Sequence, residues 1–108
     1  MQQLQVTALA ALVNTGATTL LDVREPWEVA LARITLPDAT VLNLPMHEVP
    51  AGLAHIPRTQ PVVCICHHGA RSAQVVSFLL QQGYVDVYNL AGGVDAWSVA
   101  VDPDVPRY

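Results

Sequence analysis

The chain has 108 residues, a length that predicts one domain with a core of its own. A hydrophobic share of 52% against 13% charged residues excludes a disordered chain. The formal charge of −4 gives no electrostatic basis for binding nucleic acid or an anionic membrane surface. All five basic residues are arginines, so Schiff-base chemistry and a lysine-containing phosphate loop are excluded as well.

The first residues, Met1-Gln2-Gln3-Leu4-Gln5, carry no basic side chain, and no secretory signal is expected there. Thr7 is expected to cap a helix whose apolar face is Leu9, Leu12 and Val13, with Gly16 ending it. Leu20-Leu21-Asp22-Val23 reads as a short buried strand. Glu25-Pro26-Trp27-Glu28 then starts a helix, because proline's missing N–H costs nothing in a first turn. Val41-Leu42-Asn43-Leu44 is a second strand, broken by Pro45, and residues 46–55 suit a short helix made irregular by Pro50 and Gly52. Pro61 to Ile65 is the central strand, residues 71–82 are the best helix with Gly83 as its stop, and Val85 to Asn89 is a further strand. Ala91 to Ser98 turns through Gly92-Gly93 into a short helix. Strands alternating with helices predict an α/β fold: a small parallel sheet covered on both faces, in three α/β/α layers. Ligands of such sheets bind beyond the carboxyl ends of the strands.

Cys66-His67-His68-Gly69-Ala70-Arg71-Ser72 falls at that place, between the central strand and the best helix. The first N–H groups of a helix lack intrahelical partners and, with the dipole, favour negative charge. A cysteine against such a cradle is expected as the nucleophilic thiolate. Gly69 supplies backbone freedom in the turn, and Arg71 adds a planar donor fork suited to an oxyanion. The arrangement reads as a reactive cysteine that accepts a group from a small anion.

This loop resembles the active-site loop of the rhodanese homology domain. Two other segments agree with that family in order and spacing: Leu20-Leu21-Asp22-Val23-Arg24-Glu25-Pro26-Trp27-Glu28 resembles its first signature, and Gly83-Tyr84 followed by Val87 to Trp97 resembles its closing segment. The resemblance implies a sulfurtransferase. Cys66 would take a sulfane sulfur from thiosulfate, a polysulfide or a persulfide, and pass it to a thiophilic acceptor such as cyanide, a small thiol or a protein thiol. It implies no cofactor and no metal beyond the covalent cysteine persulfide. The N–H groups from His67 through His68, Gly69, Ala70 and Arg71 to Ser72 would stabilise the thiolate and the persulfide, while Arg71 would hold the anionic part of the donor. The family commonly carries Arg after the cysteine, where this chain has His67, and the loss of that charge favours a polysulfide or persulfide over thiosulfate. The family's Gly-His pair after the first signature is replaced around Arg33-Ile34-Thr35-Leu36.

Asp22 and Arg24 end a strand on the site's face, as support for the loop or, in the favoured reading, as a structural ion pair. Trp27 and Trp97 are expected as core or rim packing, His47 and His55 as solvated, and Cys64 as a core residue on the face of Cys66. His67 and His68 could donate to a bound anion or point to solvent. Three other functions compete. A cysteine phosphatase would have five residues between Cys and Arg where this loop has four, and would need an acid for the leaving group. A metal module would use Cys64, Cys66, His67 and His68, four ligands too close in sequence to surround one ion. A non-catalytic binding domain of the same family would typically lack the cysteine. Cys64 and Cys66 are too close for a useful disulfide staple, and no apolar run nears the roughly 20 residues of a spanning helix, so a soluble, reduced, cytoplasmic protein is expected.

Overall fold

The computed structural model describes residues 1–108. Five parallel strands form one sheet in the order β1-β5-β4-β2-β3: β1 Gln2–Leu4, β2 Thr19–Asp22, β3 Thr40–Asn43, β4 Val62–Ile65 and β5 Val87–Leu90. The helices are α1 Leu9–Asn14, α2 Pro26–Leu31, α3 Ala70–Gln81 and α4 Gly93–Ala100.

The central strands β2 and β4 are buried along their whole length, as parallel strands covered on both faces must be. Alternation sorts their side chains into two cores. Leu20, Val63 and Ile65 meet Leu9 and Val13 of α1 and Val94 and Trp97 of α4. Leu21, Cys64 and Cys66 meet Val75, Val76 and Leu79 of α3 on the other side. The three-layer α/β/α architecture is thereby established. Register places Leu21 opposite Cys64 and Cys64 opposite Asn89, so the strand ends that carry Asp22 and Cys66 lie at one rim of the sheet.

Several local expectations are corrected. Gln2–Leu4 is an edge strand beside β5, where the sequence is mostly polar because only one of its three residues is even partly buried. Thr7 caps nothing; it sits inside a 3-10 turn, Val6–Ala8, that leads directly into α1. The segment 46–55 forms two 3-10 turns, Met46–Glu48 and Leu53–His55, in place of one irregular helix. Trp27, expected to pack, is exposed on α2; Trp97 is buried in the core and His47 and His55 are exposed, as expected.

Candidate active site

Cys66 follows β4 and is 1% exposed, on the α3 face of the sheet. Its Sγ accepts the N–H of Gly69 at 3.0 Å and lies 3.2 Å from Ser72 Oγ. Gly69 adopts φ 108°, which side chains rarely tolerate, and this turns the loop so that its N–H faces back to the sulfur. The first turn of α3 follows at once, where the N–H groups of Ala70, Arg71 and Ser72 have no carbonyl four residues back inside the helix.

The hydroxyl of Ser72 has one proton and three acceptors in reach: Cys66 Sγ, Gly69 O at 3.3 Å and Asn89 Oδ1 at 2.5 Å. With Cys66 as a thiol, S–H can donate to Ser72 Oγ while Ser72 donates to Asn89. With Cys66 as a thiolate, Ser72 must turn its proton to sulfur. Asn89, buried on β5, also donates to Gly69 O and Gln3 Oε1 at 3.1 Å each, tying the loop to the sheet.

The outer side of the loop rests on α4. Val94 N–H donates to Cys66 O at 2.9 Å and Asp95 N–H to His67 O at 3.1 Å, so the orphan donors of one helix hold the loop that precedes another. Gly93, at φ 61°, lies so close that a Cβ there would collide with the carbonyls of Cys66 and His67.

Arg71 turns its fork to Glu28 of α2, Nη1 to Oε2 and Nη2 to Oε1, both at 2.8 Å. The Arg71 bonds hold the Glu28 carboxyl down to about 2, against the burial that opposes ionisation, and raise Arg71 in turn. Glu28 is placed by its own helix start, where its Oε2 accepts the Glu25 N–H at 3.0 Å. Arg24 is fully buried and forks Asp22, Nε to Oδ1 at 2.9 Å and Nη2 to Oδ2 at 2.7 Å, the structural ion pair favoured from the sequence. Arg107 forks Asp95 at 2.8 and 3.2 Å.

The imidazole of His67 stacks on Tyr108 at 3.8 Å and on His68 at 3.9 Å. Burial, then the neighbouring His68, lowers His67 below the ordinary imidazole value, so it is neutral at pH 7. The His68 side chain is exposed, 3.9 Å from Asp95. Cys64 is fully buried, and burial followed by the charge of Cys66 pushes its thiol up to about 12. Only Cys66, of the two free cysteines, has donors aimed at its sulfur.

Cys66, Gly69, Ser72 and Arg71 are thus assembled around the α3 start, with Asp22 and Arg24 joined to them through Tyr108. Sequence reasoning missed Glu28, Asn89 and Tyr108. The structure shows Glu25 and Glu28 forming a capping box, a spacing that sequence reading could have used to place Glu28 but that does not point to Arg71; Asn89 and Tyr108 carried no local signal. A cavity of about 710 Å³ lies against the opposite face of the sheet, where the departing segment Arg33–Leu36 lines it with Val29 and Val41; Cys66 takes no part in it. Cys64, Cys66, His67 and His68 do not converge on one point, since the cysteines face the core while the histidines stack outside. Glu28 is ionised and paired, so it cannot supply the proton that phosphate ester cleavage would need. The arrangement suits a thiolate that attacks a small sulfur-bearing group whose leaving thiolate needs no acid.

The profile of the rhodanese-like domain family matches residues 5–100. A sulfurtransferase of Allochromatium vinosum is 46% identical over 87 residues, 81% of this chain and 78% of its own. The thiosulfate sulfurtransferase GlpE of Stutzerimonas stutzeri is 30% identical over 95 residues, 88% and 83% of the two chains. Among solved structures, a rhodanese-related protein of Thermoplasma volcanium superposes with a TM-score of 0.77 at 28% identity, covering 98% of this chain and 96% of its own.

Proposed function

The chain belongs to the rhodanese-like domain family, and from that premise we propose a sulfurtransferase that draws on persulfide or polysulfide sulfur in preference to thiosulfate. Relatives named sulfurtransferase support the reaction class. The observation that carries the reading is the Gly69 N–H at 3.0 Å from Cys66 Sγ, beside the free donors of the α3 start.

The Cys66 thiolate attacks the outer sulfur of R–S–SH. The bond from Sγ to that sulfur forms, the donor S–S bond breaks, and its electron pair leaves on R–S⁻. Gly69 N–H and Ser72 steady the charge on Sγ before attack, and again when the acceptor's attack returns that charge to Sγ. An acceptor thiolate R′–S⁻ then attacks the outer sulfur of the Cys66 persulfide, giving R′–S–SH and returning the Cys66 thiolate. Small thiols, cyanide or a protein thiol fit as acceptors.

Local charge supports the donor preference. Thiosulfate is a dianion, whereas Arg71 is neutralised by Glu28 and His67 is uncharged. The reacting end of a persulfide, or of a singly protonated polysulfide, carries at most one negative charge and asks for less compensation. Cys66 must return to its reduced form in each turnover, which supports a reducing compartment such as the cytoplasm. No helix is long and apolar enough to cross a membrane.

Intact mass after exposure to glutathione persulfide, polysulfide or thiosulfate tests the reading. One added sulfur is expected, faster from the first two, retained in Cys64→Ser and absent in Cys66→Ser. No added sulfur from any donor, or equal loss in both folded variants, overturns it.

A further inference from the structure

Tyr108 lies beyond residues 5–100, the part of the chain matched to the family, yet it touches three parts of the site. Its ring stacks on His67 with planes only 6° apart, and His68 stacks on the same imidazole with planes 29° apart; at such spacings the two rings take opposite faces. Its hydroxyl donates to Glu28 Oε1 at 2.9 Å and accepts from Arg24 Nη1 at 2.9 Å. Trp27 meets the ring edge-on, 6.1 Å between centroids. The segment that delivers Tyr108 is anchored twice: Val105 is buried in the core with its carbonyl accepting the Ser98 hydroxyl, and Arg107 is forked to Asp95.

Cys66, in contrast, is 1% exposed, so a reagent reaches Sγ only when the loop yields. The inner part of the loop is fixed by Gly69, Ser72 and Asn89, and its carbonyls by α4. His67 is the residue next to the sulfur, and its side chain is held by stacking rather than by hydrogen bonds: Nε2 is buried without a partner. An opening over Cys66 would have to slide the His67 ring from under Tyr108, and would give the unpartnered Nε2 access to water or to an incoming group. The stack is the element that resists this.

We propose that Tyr108 is a positioning residue that keeps the loop closed over Cys66 and sets the size of reagent able to reach the thiol. It acts through His67 by its ring, while its hydroxyl joins Glu28 to Arg24 without bearing on the loop; it touches no reacting atom. The proposal concerns the site read above as a sulfurtransferase, but its principal readout is alkylation, which needs no sulfur transfer.

The test compares wild type, Tyr108→Phe and Tyr108→Ala in the full chain, with peptide mapping of Cys64 and Cys66 after timed exposure to iodoacetamide and to a bulky aryl maleimide. In Tyr108→Ala, Cys66 is expected to react about tenfold faster with the maleimide and about threefold faster with iodoacetamide, while Cys64 stays unlabelled. Tyr108→Phe keeps the ring and should stay within about twofold of wild type for both reagents. In the sulfur-transfer assay, Tyr108→Ala should raise kcat/KM for glutathione persulfide relative to inorganic polysulfide. Unchanged Cys66 labelling in Tyr108→Ala, equal acceleration by both reagents, or Cys64 labelled in parallel, which marks general loosening, overturns the proposal. A wild type that transfers no sulfur would defeat the sulfurtransferase reading alone, since the alkylation comparison still decides the role of Tyr108.

Discussion

Arg71 and Glu28 face each other across the mouth of the Cys66 loop, joined by two parallel hydrogen bonds of 2.8 Å. The pair is of the bidentate, charge-assisted kind that is strong and geometrically exacting. It does two things at once. It fixes α2 against the start of α3, and it cancels the one permanent cation that the loop offers to an incoming anion. Asp22–Arg24 and Asp95–Arg107 repeat the cancellation on either side.

Glu28→Gln removes one charge from that pair and leaves Arg71 with an amide that cannot accept at both ends. The freed guanidinium should then serve a dianionic donor. The expected outcome is a fall of about tenfold in KM for thiosulfate, in keeping with a charge-assisted hydrogen bond worth roughly 1.5–3 kcal/mol. Persulfide kinetics should change less. A thiosulfate KM that does not fall would show that charge at Arg71 does not set donor choice.

The same pair predicts an acid transition. Glu28 is lowered from 4.5 to about 2 in the folded protein, so the unfolded chain takes up its proton first as pH falls. The pair's contribution is complete above about pH 4.5 and is lost as pH drops towards 2. Its size is on the order of 2 kcal/mol after allowing for solvent around the partly exposed Arg71. Urea unfolding between pH 5 and 2 should show this loss in wild type, and Glu28→Gln should lack that component of the slope. Parallel slopes for the two proteins would contradict the assignment.

The elements that sequence reading found were those with a local cause. The four apolar residues Val62–Ile65, the helix ended near Gly83 and the proline at the start of α2 each declare themselves within a few positions. Cys66 was legible because strand end, glycine turn and helix start are contiguous. What escaped was long-range pairing: Glu28 meets Arg71 across 43 residues, Asn89 meets Ser72 across 17, and Tyr108 meets Arg24 across 84. Arg71 read alone looks like an anion ligand, and its actual partner depends on how α2 packs. The edge strand Gln2–Leu4 was hidden because an exposed edge needs no apolar alternation.

Gly93 supports the loop from beneath, and the space there is fully used. Gly93→Ala would force a Cβ against the Cys66 and His67 carbonyls at a φ of 61° that alanine resists. Strain and overpacking together should cost about 2–4 kcal/mol. For a domain of this size that is a Tm lower by roughly 10–25 °C. Because the displaced atoms belong to the residue that carries the nucleophile, sulfur transfer measured well below the new Tm should also fall at least tenfold. A variant with a normal Tm and normal turnover would mean that the loop does not depend on α4 for its placement.

His67 gives the sharpest test of how charge beside the sulfur selects the donor. The residue is neutral, pressed between Tyr108 and His68, and next in sequence to the nucleophile. His67→Arg replaces a flat ring by a flat guanidinium, which can keep the stack on Tyr108 while adding a permanent charge. Unlike Arg71, the new cation would have no carboxylate already forked to it, since Glu28, Asp22 and Asp95 are all taken. Thiosulfate kcat/KM should rise about tenfold, again the scale of one charge-assisted hydrogen bond. The gain should shrink as salt is added, because the new charge sits near the surface and is screened over about 10 Å at 0.1 M. With a persulfide donor the same variant should differ little from wild type, having less charge to attract. A thiosulfate rate that stays flat, or a gain that ignores salt, would mean that donor choice is set by the shape of the closed loop rather than by its charge.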